Sequence, residues 1–343
     1  MCVIATRGSI QVTLMACSHV MGENMPLDSQ FERWLQEAAE RAPDISAMSA
    51  AQRRAVADQA NLKLQRPPLA YPVAEIRDLA IQGPAGPMTL RLYYPFVHGS
   101  SGPRPVTVFF HGGGFVTGSL ATYDVICRAL CRASKTIVAF VDYRLAPEHP
   151  FPAAPDDALA AVRYIGRHAG SFGGDAQRLA LAGDSAGALL AALTALRVRD
   201  EGGPALCGQC LLYPMLDFQH DGLASLTRNA HGYGFTREAR DWYIQQYLPD
   251  EASRTHPFNT LLERQDLADL PPALVMTAEF DPVCDEGVRY AELLAEQGVL
   301  TRHSHYYGMI HAFVRRLGQH LQADQAIDEC GVWLRRILTS PAI

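Results

Sequence analysis

The chain has no apolar run long enough to span a bilayer, so no helical membrane span is expected. Nor does it have a dense run of Lys and Arg. Its 30 basic residues stand against 36 acidic ones, for a net charge of −6 with His neutral. An electrostatic footprint for nucleic acid is therefore missing, and no nucleic-acid partner is expected. There is no Gly-Lys-Ser/Thr and no spaced Gly-x-Gly-x-x-Gly, the two glycine patterns that cradle phosphates. Internal repeats and low-complexity tracts are also lacking. Charged residues make up only 19% and hydrophobic ones 48%, a globular composition. The 343 residues suffice for one large domain, or a domain with an added subdomain, around a sizeable core.

The 8 cysteines are too sparse for a disulfide framework. Cys207-x-x-Cys210 has the spacing of a redox or zinc site, but Cys210 opens an apolar run and no second Cys or His pair lies nearby at ligand spacing. Cys127 and Cys131 stand four apart on an expected helix. All read as buried thiols, and reduced thiols fit a cytoplasmic enzyme. Residues 1–24 read as a disordered or misassigned leader, with a start near Met21 or Met25. The alternative is export, from a faint lipoprotein-like Leu14-Met15-Ala16-Cys17.

From residue 27 the pattern is helical. Asp28 or Ser29 can cap a helix bearing Phe31, Trp34 and Leu35 on one face, and a second helix is expected over 49–64. Alternating stretches at 73–81 and 88–94, joined by a Gly/Pro turn, predict an antiparallel pair. Short continuous apolar runs then follow at 106–110, 136–141, 179–182, 210–213 and 273–277, with a last strand at 301–306. Helical segments at 123–134, 154–168, 186–200 and 285–297 alternate with them, and a long helix over 317–338 ends the chain. This is an α/β chain with a mostly parallel sheet, antiparallel first strands and helices on both faces. Residues 217–262 break the alternation with a Gly-rich piece and a helix near 236–247. An insertion of that size after a strand points to function.

Gly183-Asp184-Ser185-Ala186-Gly187 sits where a buried strand, 178–182, turns directly into an Ala/Leu-rich helix, 186–198. Such a turn holds its central residue in a strained conformation with the side chain proud of the sheet edge, which makes Ser185 a candidate nucleophile. A serine hydroxyl needs a base, and the base needs a carboxylate to fix its tautomer. In this topology those partners follow in the order acid, then His, on loops after later strands. Asp281, after the strand at 273–277, and His311, after the last strand, meet both conditions. Asp285 is a rival acid, better placed to cap the following helix. Asp184 is expected to point away from the serine, His303 and His305 to share one face of the last strand, and His320 to fall in the last helix. Acyl transfer also needs donors for an oxyanion. His111-Gly112-Gly113-Gly114 follows the strand at 106–110, and the N–H groups of Gly113, Gly114 and Ala186 would form a three-donor hole. His111 reads as a loop-ordering residue rather than a second base.

These motifs resemble the hormone-sensitive-lipase-like family of bacterial esterases, on the α/β-hydrolase fold. The resemblance rests on His111-Gly-Gly-Gly114, Asp142-Tyr-Arg-Leu-Ala-Pro-Glu-His149 with Phe151-Pro152, Gly183-Asp-Ser-Ala-Gly187, Asp281-Pro282 with Asp285-Glu-Gly287, and Gly308-Met-Ile-His311. It implies Ser185 as nucleophile, His311 as base, Asp281 as its orienting acid, and Gly113, Gly114 and Ala186 as oxyanion donors. It further implies a helical cap built from residues 25–70 and the insertion 217–262, over a core of 71–216 and 263–343. The block around Tyr143 and Arg144 would order the loop beneath the site. Two departures stand out: the family usually has Gly where this chain has Ala188 and Ala312. The expected activity is hydrolysis of short- to medium-chain acyl esters through an acyl-enzyme, with a small-molecule ester substrate and no metal or organic cofactor. A monomer and a homodimer both fit. A related amidase, formamidase or lactonase would use the same triad. A ligand-binding receptor, like the plant gibberellin receptors that resemble this family, would lack the histidine that His311 supplies.

Overall fold

The computed structural model describes residues 26–41, 43–45, 47–65, 67, 70–96, 102–219 and 222–339. The leader expected over 1–24 lies outside the described residues. Among the described residues, eight strands, β1 (Glu75–Gly83), β2 (Gly86–Tyr94), β3 (Arg104–Phe110), β4 (Ile137–Asp142), β5 (Gly174–Asp184), β6 (Leu206–Leu212), β7 (Ala273–Phe280) and β8 (Thr301–Ile310), form one sheet in the order β1-β2-β4-β3-β5-β6-β7-β8. β1 pairs antiparallel with β2, and β2 with β4; all later pairs are parallel. The antiparallel start and parallel remainder agree with the alternating and continuous apolar patterns. The strands run longer than the apolar runs alone suggested, because polar residues at their ends still pair in register.

Among the described residues, ten α-helices accompany the sheet: α1 (Ser29–Arg41), α2 (Ala50–Leu64), α3 (Asp124–Ser134), α4 (Ala153–His168), α5 (Ala186–Glu201), α6 (Ala224–Arg228), α7 (Arg237–Tyr247), α8 (Glu251–Arg254), α9 (Cys284–Glu296) and α10 (Leu321–Thr339). Both sheet faces are covered. Along β4, Ile137, Ala139 and Val141 join the core under α4, α5 and α9, while Val138 and Phe140 join the core under α3 and α10. That two-residue alternation between two buried layers is why the strand reads as an unbroken apolar run. α5 is buried almost all round, from Ala186 to Leu196, as its Ala/Leu-rich composition requires of a central helix.

The N-terminal helices dock in different ways. α1 is capped by Asp28, whose Oδ1 accepts from the Gln30 N–H at 2.8 Å, and it buries Phe31 against His320. The last helix begins at Leu321, so His320 lies just before it rather than inside it. α2 carries a capping box between Ser49 and Gln52 and has no fully buried residue. It docks instead through polar groups. Arg54 donates to the carbonyls of Val116 (2.6 Å) and Ala146 (2.9 Å) and pairs with Glu148 at 2.6 Å. The guanidinium of Arg53 lies 4.5 Å from the Trp242 ring of α7. The insertion leaves the sheet after β6 and returns before β7, its two ends tied by an antiparallel bridge between Asp217 and Thr260. Among the described residues no helix is long and apolar enough to cross a membrane.

Of the cysteines, Cys127, Cys131 and Cys210 are buried, while Cys207 is half-buried. Cys210 faces Cys330 of α10 across a core contact, Sγ to Sγ 3.0 Å.

Candidate active site

Ser185 occupies the turn between β5 and α5 with φ 54 and ψ −122, a conformation that side chains rarely adopt. The surroundings enforce it. The Ser185 N–H is held by the Leu212 carbonyl at 2.9 Å. A Cβ on Gly183 would stand 2.2 Å from the Gly187 carbonyl oxygen, and one on Gly187 would stand 2.1 Å from that of Phe110. Only glycine lets strand, turn and helix approach so closely.

The His311 Nε2 is 2.8 Å from the Ser185 Oγ, and its Nδ1 is 2.6 Å from the Asp281 Oδ2. All three side chains are nearly or wholly closed to solvent. A carboxylate only accepts, so Nδ1 carries the ring proton, and Nε2 presents a lone pair to the serine hydroxyl. Asp281 is fixed in turn: its Oδ1 accepts from the Val283 N–H at 2.9 Å, and its carbonyl accepts from the Asn229 amide at 3.0 Å. The rings of Phe235 (4.4 Å, stacked) and Tyr213 (5.0 Å, edge-on) hold the imidazole between them.

The other candidate acid lies elsewhere. Asp285 accepts from the Ser225 N–H at 2.8 Å and is 3.5 Å from Arg228, turned toward α6 rather than toward His311. It does not cap its own helix, which starts at Cys284 with Val283 at the cap position, so Asp285 already lies in the first turn. His303 and His305 share one face of β8, as expected, and both contact the Thr277 Oγ1 at 2.9 Å.

The loop after β3 passes close to the serine. Gly113 (φ 114) and Gly114 (φ 59) have backbone angles natural to glycine. The N–H groups of Gly113, Gly114 and Ala186 donate to no described residue. His111 is fully buried beneath this loop, stacked on Tyr143 at 4.2 Å. Its Nδ1 is 2.8 Å from the Gly112 carbonyl, which can only accept, so Nδ1 bears the proton. Nε2 is buried with no partner among the described residues. Burial pushes the ring's pKa down to about 4, so His111 is neutral. Tyr143 donates to the His111 carbonyl at 2.6 Å, and the Ala146 N–H donates to the Phe115 carbonyl at 2.8 Å. The Tyr143 block thus underpins the glycine loop, and the Tyr243 ring of α7 lies directly against Gly114.

Sequence patterns did not single out Asn229, Tyr213, Phe235, Tyr123 or Arg315, and Glu286 entered only within the Asp285-Glu-Gly287 motif, without a role. Glu286 is wholly buried in the first turn of α9, and its Oε2 accepts from the N–H groups of Leu216 (2.6 Å) and Asp217 (3.0 Å), which anchors the start of the insertion. Asn229 and Phe235 lie in a segment with no strand or helix period to place them. Arg315 carried one available signal, the first of two adjacent arginines that follow His311 after the apolar Ala312-Phe313-Val314.

Comparison with known proteins places this geometry. A family model described as the alpha/beta hydrolase fold matches residues 107–315. The esterase LipI of Mycobacterium tuberculosis is 41% identical over 276 residues, covering 80% of this chain and 86% of LipI. The carboxylesterase NlhH of the same species is 41% identical over 259 residues, 74% of this chain and 79% of NlhH. Among solved structures, the hyperthermophilic esterase of Pyrobaculum calidifontis superposes with a TM-score of 0.87 at 35% identity, covering 91% of this chain and 99% of that one.

Proposed function

The chain belongs to the hormone-sensitive-lipase-like esterases of the α/β-hydrolase superfamily, and from that premise we propose a serine carboxylesterase in which Ser185, His311 and Asp281 form the catalytic triad. One observation carries the reading: the unbroken chain Ser185 Oγ, His311 Nε2, His311 Nδ1, Asp281 Oδ2, with contacts of 2.8 and 2.6 Å.

The chemistry follows from the atoms. Ser185 Oγ attacks the ester carbonyl while His311 Nε2 takes its proton, and Asp281 stabilises the imidazolium. The carbonyl electron pair moves onto oxygen, where the N–H groups of Gly113, Gly114 and Ala186 receive it. The tetrahedral species collapses as His311 returns the proton to the leaving alkoxide, leaving an acyl group on Ser185. Water, deprotonated by the same imidazole, then attacks that acyl group; the bond to Ser185 Oγ breaks, His311 returns the proton to that oxygen, and the acid is released. No step asks for a metal or an organic cofactor. α1, α2 and the insertion 217–262 serve as a cap. Phe235 over His311 and Tyr243 against Gly114 narrow the approach to the serine, which favours short- to medium-chain acyl esters over long-chain lipids.

The test is Ser185→Ala assayed on p-nitrophenyl esters from acetyl to dodecanoyl. Loss of roughly four or more decades of kcat is expected, with wild-type turnover highest at the short end of the series. Retained turnover in the variant would overturn the triad. A wild-type optimum at dodecanoyl would overturn the chain-length reading alone.

A further inference from the structure

Asp184 is the residue beside the nucleophile that the triad does not use, and it is almost wholly buried. Its Oδ1 accepts from the Gly112 N–H at 2.7 Å, and its Oδ2 accepts from the hydroxyls of Tyr123 at 3.0 Å and Tyr213 at 3.4 Å. The carboxylate therefore ties the nucleophile turn to the glycine loop, one residue before Gly113. A buried carboxylate with no cation to balance it neutralises rather than stay charged. Among the described residues, no Lys or Arg makes a direct ion pair with Asp184. The balancing charge arrives through one hydroxyl. Arg315 Nη2 donates to the Tyr123 Oη at 2.5 Å, which commits the Tyr123 proton to Asp184. The guanidinium carbon also stands 4.7 Å from the centre of the Tyr123 ring. The hydrogen bonds thus converge on the carboxylate, from guanidinium through hydroxyl on one side and from the Gly112 N–H of the loop on the other.

We propose that Arg315 is a positioning residue for acyl transfer: through Tyr123 it keeps Asp184 a carboxylate, and Asp184 holds the Gly112–Gly114 loop at the distance from Ser185 that the oxyanion requires. This rests on the reading of Gly113, Gly114 and Ala186 as oxyanion donors. Arg315 lies in the turn Phe313–Arg316, one intervening residue beyond His311, so one side chain joins the base loop, the nucleophile turn and the oxyanion loop. A guanidinium kept only to stabilise the fold would be expected to grip a carboxylate directly. Arg315 instead spends its bond on a tyrosine, and its Nη1 is closed to solvent with no partner among the described residues.

The electrostatics agree in sign. Burial is the largest influence and leaves the Asp184 carboxyl above its ordinary value; the Arg315 charge, then the Gly112 N–H, the Tyr123 hydroxyl and His311 when protonated, pull against it. Tyr213 also faces Asp184, and the neutral His111 ring lies 5.3 Å from that of Tyr123. Arg315 in turn faces Asp58 of α2 and Tyr243 of α7. Removing the guanidinium removes the strongest of the opposing influences, so Asp184 takes up its proton at a higher pH. A neutral acid accepts from the Gly112 N–H with roughly half the strength of a carboxylate, and the loop loosens.

The experiment measures kcat and KM for p-nitrophenyl acetate from pH 5 to 9 in Arg315→Met, Arg315→Lys, Tyr123→Phe and Ser185→Ala. Deleting one oxyanion donor costs about 100- to 1000-fold, so loosening donors without deleting them should cost about 10- to 100-fold in kcat. Arg315→Met is expected to show that loss with KM within about threefold of wild type. Its acid limb should move to higher pH. Arg315→Lys should restore the limb, and Tyr123→Phe, which cuts the relay but keeps the charge, should move it upward. In an Asp184→Asn background, Arg315→Met should no longer shift the limb. A folded Arg315→Met enzyme with wild-type kcat and acid limb would overturn the proposal. Should that variant fail to fold, Tyr123→Phe decides, and an unmoved limb overturns the proposal equally. The outcomes separate: an active Ser185→Ala enzyme sinks the triad itself, whereas an inactive Ser185→Ala beside a wild-type-like Arg315→Met sinks only the role of Arg315.

Discussion

Acid should loosen this protein at His111, and the size of the effect can be worked out. The ring is fully buried, Nδ1 is committed to the Gly112 carbonyl at 2.8 Å, and Nε2 has no partner among the described residues. A second proton would therefore sit on a buried, unpaired nitrogen, and burial together with the nearby Arg315 charge brings the pKa down to about 4 from an ordinary 6.5. Between those values the unfolded chain binds a proton that the folded chain refuses. Stability from this group is thus complete above pH 6.5 and is lost as the pH falls toward 4. At about 1.4 kcal/mol per pH unit, the whole window is worth about 3 kcal/mol, and the step from pH 7 to pH 5 about 2 kcal/mol. His111→Asn keeps a donor near the Nδ1 position but cannot titrate. It loses ring stacking, so its absolute stability falls; the pH slope is what matters. Urea unfolding at pH 7 and pH 5, followed by tryptophan fluorescence, should show wild type losing about 2 kcal/mol more than the variant over that step. Equal losses in the two proteins would refute the argument, since every other titrating group is common to both.

Three further outcomes are expected. Asp281→Asn should lower kcat by roughly 1000- to 10,000-fold because it no longer fixes the His311 tautomer, while Asp285→Asn, which touches only α6, should leave kcat within about threefold; steady-state kinetics would expose the reverse order. Ala312 has φ 59, a left-handed conformation that disfavours side chains, so Ala312→Gly should raise stability by about 1 kcal/mol, read as an increase in Tm. Gly187→Ala would drive a methyl to 2.1 Å from the Phe110 carbonyl oxygen. Neither side is a flexible side chain, so it should cost about 3 kcal/mol or more, with Tm lower by roughly 4 °C or more by calorimetry.

Most of the sheet was legible because its parallel strands are buried on both faces and so read as short apolar runs; β4 is the plain case. The serine, the histidine and the glycine loop were legible for another reason. Each lies at a strand end where only certain residue types permit the backbone path, as the crowded turn at Gly183 and Gly187 shows. The surroundings of the site were not legible. Asn229, Phe235 and Tyr243 come from an insertion whose residues answer to the site rather than to any helical or strand period. Arg315 and Tyr123 are separated by 192 positions and meet only through the fold, as does Glu286 with the start of the insertion. His320 and Asp285 were each misplaced by a residue or two, because helix starts are set by local hydrogen bonds that composition does not reveal.

The central claim, that Ser185 is the acyl-transfer nucleophile, is tested most directly by covalent labelling. Diethyl p-nitrophenyl phosphate should react once per chain: the Ser185 Oγ forms the bond to phosphorus, p-nitrophenolate leaves, and His311 takes up the hydroxyl proton. Intact-mass and peptide mass spectrometry should then find a single diethylphosphoryl group on the peptide containing residues 183–187, formed as activity disappears and missing from Ser185→Ala. A label on any other residue, or full loss of activity with Ser185 unmodified, would contradict the account.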